Sequence, residues 1–350
     1  EALKHTDPKA EFVMVLDADF IPYPDTIVQF LKYFQSTAGT LDFSKEQKWE
    51  VRNEKLDAEV RSGMRQSHLS FQSEAIPHSH LQPPTSSIAA IQGYQWHVLN
   101  KSENWITRGV RSEYSGSYVI ERSGEEIYSG LKQISGSVYM IRRDVLESIG
   151  WGTSITEDFQ LTLKLYERGF KVVYTPYIQA PAEAVSTIKR LIRQRMRWAE
   201  GHSHNIRKMF VRLLFGKWEN ISAKQQVSSS MYQVLSRDND EEKIHNTNYK
   251  LHNTGAKHIW TPSPLSVAEK LEFLYLSPYY LQAAFFILGT LSWFIAEVVF
   301  KVRLPFWTEV WGWSLVFTNL LALPLMNMVG LFMEESSERD YLGLISFVIL

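Results

Sequence analysis

The chain has 350 residues, enough for one large domain or two ordinary ones, and a formal net charge of −1. A charge so close to zero excludes whole-molecule attraction to nucleic acid or another polyanion. With no cysteine, disulfides, thiolate catalysis and cysteine-ligated zinc are excluded, while the compartment stays open.

Both termini read as cuts in a longer protein: the chain starts at Glu1 rather than Met, and the apolar run Tyr341–Leu350 is too short for a span, which takes ~20 residues. Phe12–Leu16 is an apolar run ending in Asp17-Ala18-Asp19, the pattern of a strand covered on both faces with acids at its C-terminal edge. Open α/β sheets place ligands at that edge. Past Pro22 and Pro24, Asp25 is placed to cap a helix whose apolar face is Ile27, Val28, Leu31 and Phe34. Residues 36–87 are polar and aperiodic, the composition of an inserted mobile loop. Structure is predicted to resume at 88–99, with a second strand at 137–141 and a short helix capped by Asp144 and ending near Gly150. Phe159, Leu161, Leu163, Leu165 and Tyr166 predict a helix after Thr156, stopped by Gly169, and 171–175 predicts a strand before Pro176. Alternating strands and helices specify an α/β sheet.

Ser186 or Thr187 is placed to cap a long basic helix reaching Phe215, and 218–262 reads as loop. Leu265–Leu276 has the mixed pattern of an interfacial helix. Two membrane spans are expected at 278–300 and 308–333, with Trp307, Trp311 and Trp313 as an aromatic belt. The basic stretch Lys189–Lys217 puts the preceding domain beside an anionic cytoplasmic leaflet, although the acidic loop Glu334–Asp340 then falls inside, against the usual bias.

Three short constellations can carry chemistry. Asp17 and Asp19 are suited to a hard divalent cation, or to an ordinary solvated turn. Glu157 and Asp158 open a helix, where a carboxylate can take a proton from an attacking hydroxyl or simply complement the helix dipole. The dipole lowers the pKa of such an acid and its charged neighbour raises it, so sequence leaves the balance open. In Gln194-Arg195-Met196-Arg197-Trp198, Gln194, Arg197 and Trp198 share a helix face that can grip a pyrophosphate and stack on a sugar ring, or rest on lipid headgroups. His202 and His204 offer a weaker case for zinc, because i and i+2 do not share a helix face. Trp96, Trp105 and Trp151 suit packing better than sugar stacking, and Glu297 in the first apolar run suits the membrane interface.

Asp17-Ala18-Asp19, Ser135-Gly136-Ser137, Thr156-Glu157-Asp158 and Gln194-Arg195-Met196-Arg197-Trp198, in this order and ahead of apolar helices, resemble the processive family 2 glycosyltransferases that make cellulose, poly-N-acetylglucosamine, chitin and hyaluronan. The resemblance implies a GT-A domain of Rossmann-like character over residues 1–215, an irregular and interfacial segment over 216–276 and transmembrane helices over 277–350. It implies Mg or Mn on Asp19 and Asp17, with Asp17 also on the donor side. Asp158 is implied as the base of an inverting transfer, Gln194 and Arg197 as holding the diphosphate, and Trp198, Gly136 and Glu157 as lining the acceptor. The implied partners are a nucleotide diphosphate sugar, UDP-linked by preference, a polysaccharide acceptor and a lipid bilayer. The implied location is the plasma membrane, with the catalytic domain cytoplasmic. Transfer of one sugar to a lipid-linked acceptor and an inactive export scaffold are the alternatives. The family's nucleotide-binding strand would precede Glu1, the 36–87 insertion has no counterpart, and no Phe-x-Val-Thr-x-Lys segment occurs between 210 and 265.

Overall fold

A computed structural model describes residues 7, 9–37, 87–221, 257–302 and 310–350. Residues 38–86 of the anticipated insertion, residues 222–256 of the anticipated loop, and Trp307 lie outside the described residues. In chain order the elements are β1 (Phe12–Val15), α1 (Thr26–Thr37), β2 (Ile88–His97), α2 (Trp105–Ser115), a π-helical stretch (Gly116–Glu121), α3 (Arg122–Ile127), β3 (Tyr139–Arg142), α4 (Arg143–Ile149), α5 (Glu157–Glu167) and β4 (Lys171–Ala182). There follow α6 (Ile188–Leu214), β5 (Gly216–Ile221), β6 (Lys257–Pro262), α7 (Val267–Leu276), α8 (Tyr279–Phe294) with a π-helical extension (Ile295–Val299), α9 (Val310–Met333), a 3-10 turn (Glu338–Tyr341) and α10 (Leu342–Ile349).

The main sheet has strand order β1-β3-β2-β4, with β3 antiparallel to both neighbours and β2 parallel to β4. The α/β class is as predicted, in mixed form. Alternate residues point to opposite faces of a strand, and here each face is covered. Tyr139, Ile141 and Val172 join a core built with Phe159, Leu161, Leu163, Leu213 and Phe273, whereas Val138, Met140 and Val173 pack with Phe30 and Phe34. Burial on both sides explains why Ile88–Ile91 of β2 and Tyr139–Ile141 of β3 are apolar on both alternating positions.

Several local expectations are corrected. β1 is half-buried rather than fully covered, because among the described residues it pairs with β3 alone and forms the sheet edge. On α1 the buried row is Thr26, Phe30 and Phe34, set by the contact of Phe34 with Phe12 at 4.6 Å between ring centres, and Ile27 and Val28 are exposed. Asp144 lies in the first turn of α4 and pairs with Arg142, the residue in the cap position. β4 runs through Pro176, which sits where the register with β2 shifts between Gln92 and Tyr94, and such a bulge is where a strand tolerates proline. Part of the expected loop at 218–262 is a hairpin, β5 with β6, in which Trp218 and Trp260 meet edge to face at 5.4 Å. The helical run from Trp105 to Ile127 was not anticipated. α7 presents Phe273 to the sheet core and joins Lys171 to Glu269 at 2.6 Å, so it docks on the α/β domain while Val267, Leu271 and Leu274 stay exposed.

The C-terminal helices α9 and α10 pack against α2 and its π-helical continuation. Charge fixes this junction. Glu334 is buried and takes hydrogen bonds from Arg111 on α2 and from the Tyr94 hydroxyl on β2, and Lys101 pairs with Asp340 at 3.0 Å. Two acids of the loop that opposes the charge bias, Glu334 and Asp340, are thereby paired with the α/β domain, while Glu335 and Glu338 are exposed. Among the described residues no helix is long and apolar enough to cross a membrane. Two spans had been expected. The α-helical part of α8 has 16 residues, ~24 Å against a hydrocarbon core of ~30 Å, its π-helical extension carries Glu297, and α9 carries Ser314, Thr318, Asn319, Pro324 and Asn327.

Candidate active site

The Asp17-Ala18-Asp19 turn follows β1, and its three residues are exposed. It abuts the start of β3, where the Asp17 N–H donates to Ser137 Oγ at 2.9 Å. Two buried glutamines of β2 shape the Ser135-Gly136-Ser137 loop. Gln92 donates to the Ser137 carbonyl at 2.9 Å and accepts from the Ser135 N–H at 2.9 Å, and Gln95 donates to the Ser137 carbonyl at 3.1 Å. Sequence reading missed both, although two amides in the apolar stretch Ile88–His97 are a readable signal of an internal polar partner. Gly136 adopts φ +78°, and a Cβ there would lie 3.3 Å from Asp158 Oδ2. The loop therefore links both acidic motifs.

Thr156 occupies the cap position of α5 without capping it. Its side chain turns to α6, where Asn205 Nδ2 donates to Thr156 Oγ1 at 3.1 Å and to its carbonyl at 3.2 Å. Gly201 makes this docking possible, because a Cβ there would overlap Thr156 and come within 2.8 Å of Ile155 Cγ2. The next residue, His202, stacks on Phe159 at 4.0 Å between ring centres. The basic helix thus rests directly on the segment that carries the second acidic motif.

This packing resolves the balance that sequence left open. Burial pushes the Asp158 carboxyl up to about 6, opposed by the Phe159 N–H, which donates to Oδ1 at 2.7 Å, and reinforced by the neighbouring Glu157 charge. Desolvation, then the charges of Asp19 and Glu157, raise Asp17 above the usual carboxylate range, while Arg197 pulls it down. Glu157 and Arg197 are exposed. Asp17, Asp19, Glu157, Asp158, Gly136 and Arg197 therefore gather around one edge of the sheet. Gln194 is half-buried on the helix face of Arg197, and among the described residues it makes no hydrogen bond to these acids. Trp198 is half-buried, with Arg195 over its ring at 4.7 Å.

The histidine pair does not form a metal centre. His202 is engaged by Phe159 and Tyr280, burial drives its pKa down to about 4, and His204 is exposed. Among the described residues no three His, Asp or Glu side chains converge as metal ligands. A cation at Asp17 and Asp19 would thus have two protein carboxylates. That number suits Mg, which typically takes one or two carboxylates and completes its shell with phosphate and water. The like charges crowded at Asp17 are of the kind a cation relieves. Trp105 and Trp151 are surface-exposed, Trp96 packs by Tyr94 and Tyr118, and Glu297 is half-buried in the π-helical extension of α8.

Fold and site together define an α/β domain with an acid-lined sheet edge. Glycosyl transferase family group 2 matches the chain over residues 73–333, and the chain belongs to that family. It is similar to the probable glycosyltransferase YdaM of Bacillus subtilis (strain 168), 27% identical over 116 residues, which cover 33% of this chain and 28% of that protein. It also resembles the probable glucomannan 4-beta-mannosyltransferase 6 of Oryza sativa subsp. japonica, 25% identical over 196 residues, 51% of this chain and 33% of that one. The chain thus spans about a third or less of the length of these curated relatives. Among solved structures, the mannosyltransferase PcManGT from Pyrobaculum calidifontis, in complex with GDP-Man and Mn2+, aligns over 99% of this chain and 63% of its own, with 14% identity and a TM-score of 0.40.

Proposed function

We propose that this chain transfers a sugar from a nucleotide diphosphate donor to the end of a growing β-linked polysaccharide, with inversion at the anomeric carbon, on a GT-A fold. The observation that carries the reading is the position of Asp158. Its carboxylate lies against the Gly136 backbone, beneath the basic helix and beside the Asp17 turn, in packing that raises its basicity. As an acceptor hydroxyl attacks the anomeric carbon, Asp158 takes the hydroxyl proton, and the bond between that carbon and the diphosphate oxygen breaks. Arg197, with Gln194, holds the departing diphosphate through charge-assisted hydrogen bonds. A Mg or Mn ion on Asp17 and Asp19 would neutralise the charge that develops on that leaving group. Glu157, Gly136 and Trp198 line the acceptor side, and Gly136 admits it closely because it has no side chain.

Residues 277–350 are placed in the bilayer in this reading, with the α/β domain on the cytoplasmic face of the plasma membrane. Its support is the outward display of apolar side chains, including Phe285, Ile287 and Leu288 on α8 and Leu320, Leu321 and Phe332 on α9. The test is a panel of nucleotide sugars supplied with Mg or Mn to the full chain in membranes, scored by nucleotide diphosphate released. UDP- and GDP-linked donors are both included. Turnover with a long product supports the proposal, a single added sugar on lipid limits it to one transfer, and no release from any donor sinks it. Resistance of the protein to alkaline extraction checks the bilayer placement.

A further inference from the structure

The two arginines of Gln194-Arg195-Met196-Arg197-Trp198 do not point to the same task. Arg197 is exposed and acts electrostatically on Asp17. Arg195 turns the other way. Its Nη2 donates to Glu113 Oε2 of α2 at 2.5 Å, and its guanidinium lies over the Trp198 ring with its carbon 4.7 Å from the ring centre. Arg195 and Glu113 are each about one third exposed, so the pair is sheltered but not sealed. Tyr114, Tyr279 and Tyr280 border the guanidinium, which places the start of α8 at the same spot.

A guanidinium has a planar fork and two faces, so it can satisfy a carboxylate with its edge and an aromatic ring with its face. Arg195 does both. Its charge is answered by Glu113, which removes the need for a phosphate, and its stacking locks the indole in one orientation. With one face of this half-buried ring covered by Arg195, a sugar ring that stacks on it would have to use the opposite face. A residue i and i+3 away on one helix is the shortest route by which a helix can hold its own aromatic side chain this way.

We propose that Glu113 and Arg195 are positioning residues that fix the Trp198 indole as the platform for the terminal sugar ring of the acceptor. The inference rests on the sugar-transfer reading above and assigns that site a second, acceptor-specific support reaching in from α2.

The test compares wild type with Glu113→Gln, Arg195→Met and Arg195→Lys in the full chain, using the donor that wild type turns over and β-1,4-linked hexasaccharides of glucose and mannose as acceptor probes. Loss of a cation held over an aromatic ring should raise the acceptor KM by roughly three- to tenfold in Glu113→Gln and Arg195→Met, with the donor KM unchanged. Arg195→Lys, which keeps the charge without the planar fork, should recover part of the loss. A raised donor KM in Arg195→Met would assign the guanidinium to the diphosphate and overturn the proposal, as would an unchanged acceptor KM. Quenching of indole emission by the hexasaccharides, compared with Trp198→Phe, gives a reading that needs no turnover. If wild type releases no nucleotide diphosphate the transfer reading fails, yet hexasaccharide quenching that depends on Trp198 and Arg195 still supports the platform. The platform fails alone if wild type turns over and neither probe senses Trp198.

Discussion

Asp158 and Glu334 are both carboxylates withdrawn from water, and they are treated in opposite ways. Glu334 meets a guanidinium and a phenol and is neutralised where it lies. Asp158 meets backbone N–H groups, its own and that of Phe159, and a second acid, and burial raises its pKa to about 6. Burial of a charge costs several kcal/mol unless it is paired, so the paired acid is one that holds the molecule together. An acid left short of partners destabilises its surroundings and gains reactivity. The contrast separates structural from chemical acids without reference to any motif.

The sharpest break of this comparison is Asp158→Asn. It should lower transfer ~10²- to 10⁴-fold, the usual contribution of a general base, with the melting temperature held or raised, as read by nucleotide diphosphate release and by thermal unfolding. Next comes Glu334→Ala, which strands the buried Arg111 charge and should cost ~3–5 kcal/mol in denaturant titration. Replacing Arg111 and Glu334 together by Met and Leu should recover most of that cost, and failure to recover would show that the pair is not the reason for it.

A pH series sharpens the other side. The Asp158 pKa is raised from 3.8 to about 6 on folding, so the folded state is favoured by its proton at low pH and loses that contribution as pH rises through 6. Asp158→Asn should therefore be more stable than wild type by on the order of 3 kcal/mol at pH 8 and no more stable at pH 3. The transfer rate of wild type should fall about tenfold per unit below pH 6, because the base is then protonated. Gly136→Ala is a smaller change, placing a Cβ in a left-handed backbone 3.3 Å from Asp158 Oδ2, and should cost about 1–2 kcal/mol with a raised acceptor KM. Lys101→Met is the smallest. It removes the half-exposed partner of Asp340, and double-mutant cycles should return at most ~1 kcal/mol.

The three acidic and basic motifs were legible because each sits at the end of an element whose apolar pattern is plain: the run before Asp17, the face of α5 after Asp158, the length of α6. The α/β class followed from the same alternation. What brings the motifs together is less legible: Gly201 and Asn205 have no pattern of their own, and Gln92 and Gln95, though conspicuous as amides in an apolar stretch, do not reveal which backbone groups they bind. α2 and α3 were missed for a related reason. Arg111, Ser112, Ser115, Arg122 and Glu125 are buried there, so polarity gave no sign of an interior helix. The apolar face of α1 was placed one residue off because Ile27 and Val28 look more like core than Thr26 does, and only the position of Phe12 decides the rotation.

The Arg111 and Glu334 contact also sets where the protein can be cut. A fragment ending at residue 276 would keep every side chain of the acid-lined edge, yet it would uncover the face of α2 on which α9 and α10 pack and delete the counter-ion of Arg111. The smallest piece worth expressing for assays runs past Asp340, so that both clasps are carried along. Chimaeras that exchange the C-terminal helices between relatives should move residues 101–111 with them.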